Sequence, residues 1–118
     1  MGSLEMLRST VDFRQIQSQS RTRANPQLLV RYRRNELGLT RFGISTSRRV
    51  GTAVVRNRVR RRLRQVLRRL TGHIEPGWDI LIVARAPAAE ASQGDLDAAL
   101  EKLMSSAGLL ADRTIGNP

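Results

Sequence analysis

Thr52-Ala53-Val54-Val55-Arg56-Asn57-Arg58-Val59-Arg60-Arg61-Arg62-Leu63-Arg64-Gln65-Val66-Leu67-Arg68-Arg69-Leu70 is the stretch whose reading decides the fold. Its apolar positions 55, 59, 63, 66, 67 and 70 recur at spacings of three and four, the period of one helix face. The pattern predicts a helix from about Val54 to Leu70, with Thr52 as N-cap and Gly72, after Thr71, at the C′ position. At about 100° per residue, Val55, Leu63, Val66 and Leu70 fall within about 40° of Val59, so that side faces a core. Asn57, Arg60, Arg61, Arg64 and Arg68 lie at or beyond about 100° from it and face outward. Arg56 flanks one edge of the stripe and Arg58, Arg62 and Arg69 the other, where long stems cover apolar surface while the guanidinium groups stay wet.

A helix of this kind needs a surface to cover, and the flanking sequence supplies strands. Arg41 to Ser47 alternates large or branched residues at 42, 44 and 46 with smaller ones, as a half-buried strand does. Gln27 to Tyr32 is the preceding strand candidate, and Asn35-Glu36-Leu37-Gly38 supplies turn chemistry between the two, which are expected to pair as a hairpin or meander. Asp79 to Ala84 is an unbroken apolar run bounded by Pro76-Gly77 and Pro87, which predicts a strand buried on both faces at the centre of the sheet. A last helix is predicted from Gly94-Asp95 to Leu110, with Leu96, Leu100, Leu103, Ala107 and Leu110 on its inner face. Val11 to Gln17 reads as a short helix with Asp12 near its start, and the polar stretch Ser18 to Pro26 as a loop. This is an α+β single domain. Residues 1–10 are expected to be an appended leader and flexible amino terminus, 11–110 the domain, and 111–118 a flexible C-terminal tail.

The chain has 118 residues, 40% of them hydrophobic and 3% aromatic, so a single core rests on Leu, Val, Ile and Ala. It has no cysteine and one histidine, His73, which excludes disulfides, thiolate chemistry and Cys/His metal clusters. Without a long apolar run or a secretory signal, it is expected to be cytoplasmic, with no membrane partner.

The net charge is +11, and it is concentrated. From Leu37 to His73 there are eleven arginines and no acid, while ten basic residues balance ten acidic ones elsewhere. Such a field is the footprint of a polyanion-binding face. A coding bias explains Arg over Lys, yet not the loss of acids from one segment. Solvated faces usually mix signs, and like charges at i,i+4 repel, whereas guanidinium groups suit bidentate contact with phosphate and stacking on bases. A membrane-surface helix and a helix in the major groove of DNA are the other readings of the same charge.

Ser45-Thr46-Ser47-Arg48-Arg49-Val50-Gly51-Thr52-Ala53-Val54-Val55-Arg56-Asn57-Arg58, with the basic positions to Arg64, strongly resembles the bacterial ribonuclease P protein component. Agreement continues in Asp12-Phe13 with Ile16, and in Asp79-Ile80-Leu81-Ile82-Val83-Ala84-Arg85 followed by Pro87. The resemblance implies a ribosomal protein S5 domain 2-like fold in αβββαβα order, with a left-handed βαβ crossover through the arginine-rich helix; periodicity alone gives the usual right-handed one. It implies a partnership with the ribonuclease P RNA, a ribozyme that removes the 5′ leader of precursor tRNA, and no obligatory protein partner. It places Arg56, Asn57, Arg58, Arg60, Arg61, Arg64 and Arg68 against that RNA. Phe13, Ser47, Arg48 and Arg49 are then expected at a cleft that receives the leader, although Phe13 is equally open to core packing. The family often has a second aromatic after the Phe motif, where this chain has Gln17, so stacking of leader bases is expected to rest on Phe13 and arginine planes.

No catalytic residues are expected in the chain itself. Its acids are scattered, and His73 has no nucleophile beside it by motif. Cleavage then depends on Mg2+ held mainly by the RNA, with no metal site on the protein. An RNA-binding ribosomal or assembly protein and a self-sufficient metal nuclease are the competing classes.

Overall fold

A computed structural model of the chain describes residues 5–7, 14, 16 and 20–110. In order these form β1 (Arg21–Ala24), β2 (Leu28–Arg34), β3 (Arg41–Thr46), α1 (Ala53–Leu70), β4 (Trp78–Ala84) and α2 (Gln93–Ser106), with 3-10 turns at Thr71–His73 and Ala86–Glu90. Arg14 and Ile16 are helical. The rest of the expected first helix, including Phe13 and Gln17, lies outside the described residues.

The four strands make one sheet in the order β1-β2-β4-β3. β4 is central, as its apolar run predicts, running antiparallel to β2 and parallel to β3. A parallel pair cannot be joined by a tight turn, and α1 is the crossover that carries the chain from one to the other. The expected pairing of β2 with β3 is therefore wrong, because β4 lies between them. Alternation reports which face of a strand is buried and is silent about its neighbour. The turn after β2 shows the cause locally: the Asn35 N–H donates to Gly77 O (2.8 Å), and its side-chain amide donates to Leu39 O (3.1 Å) and Asp79 (2.8 Å). These bonds tie the turn to the start of β4.

The reading of Ser18 to Pro26 as loop is also corrected, since Arg21–Ala24 pairs with β2 from Arg21↔Tyr32 to Ala24↔Leu29. All four side chains are exposed, so the strand carries no apolar signature. It is held by backbone pairing and by a turn in which Asn25 Oδ1 accepts from the N–H of Gln27 (3.1 Å) and Leu28 (2.8 Å). Glu5 to Leu7, part of the segment expected to stand outside the fold, lies along β3: Leu7 N donates to Phe42 O (2.7 Å) and Phe42 N to Glu5 O (2.8 Å). Those bonds occupy edge groups that β3 would otherwise leave unpaired.

Leu28, Val30, Tyr32, Phe42, Ile80 and Ile82 meet Val59, Leu63, Val66, Leu67 and Leu70 of α1 and Leu96, Leu100, Leu103 and Met104 of α2. On the opposite face Leu81 packs with Leu7 and Ile16. The predicted stripe of α1 is thus the side packed on its own sheet, buried from Val59 to Leu70 and half-buried at Val55. No helix among the described residues is long and apolar enough to cross a membrane. Gly72 does not end α1 as a left-handed C′ residue; the chain tightens instead into the Thr71–His73 turn, and Gly72 has no positive φ. That cap occurs on α2, where Gly108 (φ 77°) lets Leu109 N reach Met104 O (3.0 Å) and Gly108 N reach Ser105 O (3.1 Å). Leu110 is buried beyond the helix, bridged to Ile74.

Candidate nucleic-acid interface

The start of α1 is built tightly. Gly51 has φ 149°, and a Cβ there would meet the Val55 Cβ at 3.0 Å. Thr52 follows as the predicted N-cap, its Oγ1 accepting from Val55 N (3.3 Å). The first turn has no acid, and Arg68 and Arg69 fall in the last turn, where the helix dipole favours cations.

The arginines of α1 divide by partner. On the edge facing α2, Arg58 donates to Ala89 O (3.1 Å) and Arg62 to Ala91 O (2.7 Å), satisfying carbonyls of the turn before α2. Arg69 pairs with Asp97 and with Glu101 (2.8 Å), and hydrogen bonds to these carboxylates push its guanidinium above its already high value. Asn57, Arg61, Arg64 and Arg68 are exposed. Arg60 is half-buried, donating to Thr46 Oγ1 at the end of β3 and to Asn57 Oδ1. Arg60 therefore braces the exposed Asn57 through its amide oxygen. Arg56 is half-buried beside them. Of the seven residues expected on the RNA, six share this side of the helix, whereas Arg58 is turned toward Ala89. Among the described residues no carboxylate pairs with any of the seven.

Ser47, Arg48 and Arg49 leave β3 in a turn closed by Val50 N to Ser47 O (3.0 Å) and Gly51 N to Arg48 O (3.1 Å). Val50 is buried and holds the turn down, while Ser47, Arg48 and Arg49 are exposed. Ser47 and Arg49 line an open cleft of about 550 Å³ with Pro26, Arg85 and Pro87. Phe13, expected at such a cleft, lies outside the described residues. Arg85 is the residue that reading the sequence missed as a site. The parallel register Thr46↔Ala84 makes Ser47 and Arg85 the next residues off adjacent strand ends, and that register is invisible until β3 and β4 are known to pair.

Asp79, Asp95, Asp97 and Glu101 serve structure. Asp79 is buried, receiving Arg41 Nε and Nη2 (2.9 Å each) and Asn35 Nδ2 (2.8 Å), with Arg33 at 3.6 Å. Burial pushes its carboxyl up, but the hydrogen bonds from Arg41 and Asn35 and the two arginine charges outweigh this and hold it below the usual carboxylate range. Asp95 closes the capping box of α2 with Ser92. No group of three His, Asp or Glu side chains converges among the described residues.

The scaffold beneath this surface recurs in known proteins. The family model described as Ribonuclease P matches residues 1–108. The ribonuclease P protein component of Caldanaerobacter subterraneus subsp. tengcongensis is 36% identical over 110 residues, covering 93% of this chain and 95% of that protein. The RNase P protein of Staphylococcus aureus superposes with a TM-score of 0.84 at 29% identity, covering 92% of this chain and 99% of the other. That of Thermotoga maritima gives 0.79 at 28% identity, covering 86% and 96%. With fold and nearly the whole length in agreement, the chain belongs to the ribonuclease P protein family.

Proposed function

We propose that the outward side of α1 seats the chain on the ribonuclease P RNA and that the Ser47–Arg49 turn, with Arg85, holds the 5′ leader of precursor tRNA. As the protein component of an endoribonuclease that trims tRNA 5′ ends, the chain contributes binding, and the RNA contributes the bond-breaking site. The observation that carries this reading is the side of α1 bearing Asn57, Arg60, Arg61, Arg64 and Arg68, unpaired with any carboxylate among the described residues and anchored to the sheet through its opposite side.

The exposed guanidinium groups of Arg61, Arg64 and Arg68 meet phosphate oxygens and screen the repulsion between two RNAs. Asn57, oriented by Arg60, offers its amide NH2 to a base edge or phosphate. Arg49 and Arg85 line the cleft where a single strand is held by its backbone, Arg48 is exposed on the same turn, and Phe13 is the residue proposed to stack on a leader base. Bound Mg2+ supplies activation of the attacking water and stabilisation of the leaving oxygen. The described residues offer no three-ligand cluster for it, and the RNA is its proposed holder. The proposed setting is the cytoplasm, with no obligatory protein partner.

Reconstitution tests this. Mixed with ribonuclease P RNA and precursor tRNA at low Mg2+ and moderate salt, the chain is expected to raise the rate of cleavage at the leader junction. No gain would overturn the proposal, and cleavage by the chain without the RNA would establish a protein nuclease instead.

A further inference from the structure

A second basic surface lies at the other edge of the sheet. Arg21 and Arg23 of β1, Arg34 at the end of β2, and Ser20, Tyr32 and Trp78 line an open cleft of about 690 Å³, closed at one side by Ala107 just past α2. No carboxylate lines it, and none pairs with Arg21, Arg23 or Arg34 among the described residues. The charges are positioned by other means: the Arg34 guanidinium lies over the Trp78 ring, 4.6 Å from its centre, and Tyr32 meets that ring edge-on at 5.8 Å. The Trp78 indole N–H and the Ser20 hydroxyl are buried without a hydrogen-bond partner among the described residues. A cleft with cationic walls and an aromatic floor suits a ligand that brings both phosphate oxygens and a flat ring.

We infer that this cleft is a second RNA-contact site, taking a phosphodiester between Arg21 and Arg23 and a base against the Arg34–Trp78 pair. The site is separate from the arginine helix. β1 and β3 are opposite edges of the sheet, roughly 14 Å apart at the usual strand spacing. α1 packs toward β3, and α2 toward β1 and β2. RNA touching both surfaces therefore reaches around α2, which a single-helix footprint does not require. The inference rests on the RNA-binding reading above and extends it to a surface that reading leaves unused.

Trp78 is the only tryptophan in the chain, so its indole N–H resonance reports on this cleft alone. The full chain is titrated at low salt with a short oligouridylate, beside two variants, Arg21→Gln/Arg23→Gln and Arg61→Gln/Arg64→Gln. The exposed β1 positions leave the core untouched. The indole resonance is expected to shift saturably in the wild type and the α1 variant, and the shift to be lost in the β1 variant. An unmoved indole resonance while amides of α1 shift would overturn the cleft and leave the proposed function standing. A shift that survives Arg21→Gln/Arg23→Gln would overturn it equally, and no shift anywhere in the wild type would overturn RNA binding itself.

Discussion

Arg60 and Arg64 are one helical turn apart and carry the same charge, yet they do different work. Arg64 is exposed and without a protein partner among the described residues, whereas Arg60 joins Thr46 to Asn57. Arg64→Ala is expected to lower the log–log salt slope of RNA binding by about 0.7–0.9 with the unfolding midpoint unchanged. Arg60→Ala should lower the slope similarly and also cost about 1 kcal/mol of stability in urea unfolding. An unaltered slope for Arg64→Ala would mean that the face is only solvated. Asp79 is the opposite kind of charged residue, buried and clamped by Arg41 and Asn35. Because its pKa is held below the ordinary carboxylate value of about 3.9, its stabilisation is complete above that value and is lost as pH falls through the lowered one. Asp79→Asn is expected to destabilise by about 2–4 kcal/mol near neutrality, and the gap to wild type to close below about pH 4. Urea midpoints across that range decide it, and a gap independent of pH would refute the assignment.

The elements differ in how far sequence exposes them. α1 is legible because Val59, Leu63, Val66, Leu67 and Leu70 repeat at the helical period and all five are buried. β4 is legible from its unbroken apolar run. β1 is not, because its four side chains are exposed and only its backbone pairs. The adjacency of β3 to β4 is not either, because it is a long-range choice made across α1. Two features of the candidate site that the sequence does not disclose share this origin. Arg85 enters it through the parallel register, and Arg58 turns from it because the turn before α2 presents the Ala89 carbonyl. The entry to α1 couples scaffold to surface. Gly51→Ala places a methyl group against Val55 at a backbone angle that side chains disfavour. It is expected to cost at least about 1 kcal/mol in thermal unfolding and to weaken RNA binding, since Asn57 and Arg60 hang from the same first turns. Binding equal to wild type after correction for unfolded protein would show that the helix start does not position them.

At the scale of the molecule, charge and core are arranged back to back. The helices and sheet enclose one aliphatic core, α1 gives that core its apolar side, and the excess arginines are carried on the reverse of the same helix. The proposed binding face and the folding unit are thus one object, which is why a charge pattern could be read at all: the stripe dictates which arginines must point away. The strand order adds a constraint in time. β4 lies between β2 and β3 but is made after α1, so during synthesis the arginines leave the ribosome before the platform that orders them exists. A short helix dense in like charges is marginal alone. A chain stopped at Gly72 is expected to show little helix by circular dichroism, although every arginine of α1 is present; a strongly helical spectrum would contradict this. The proposed RNA-binding face is encoded in the middle of the message and is expected to be assembled only when its last strand slides into the gap.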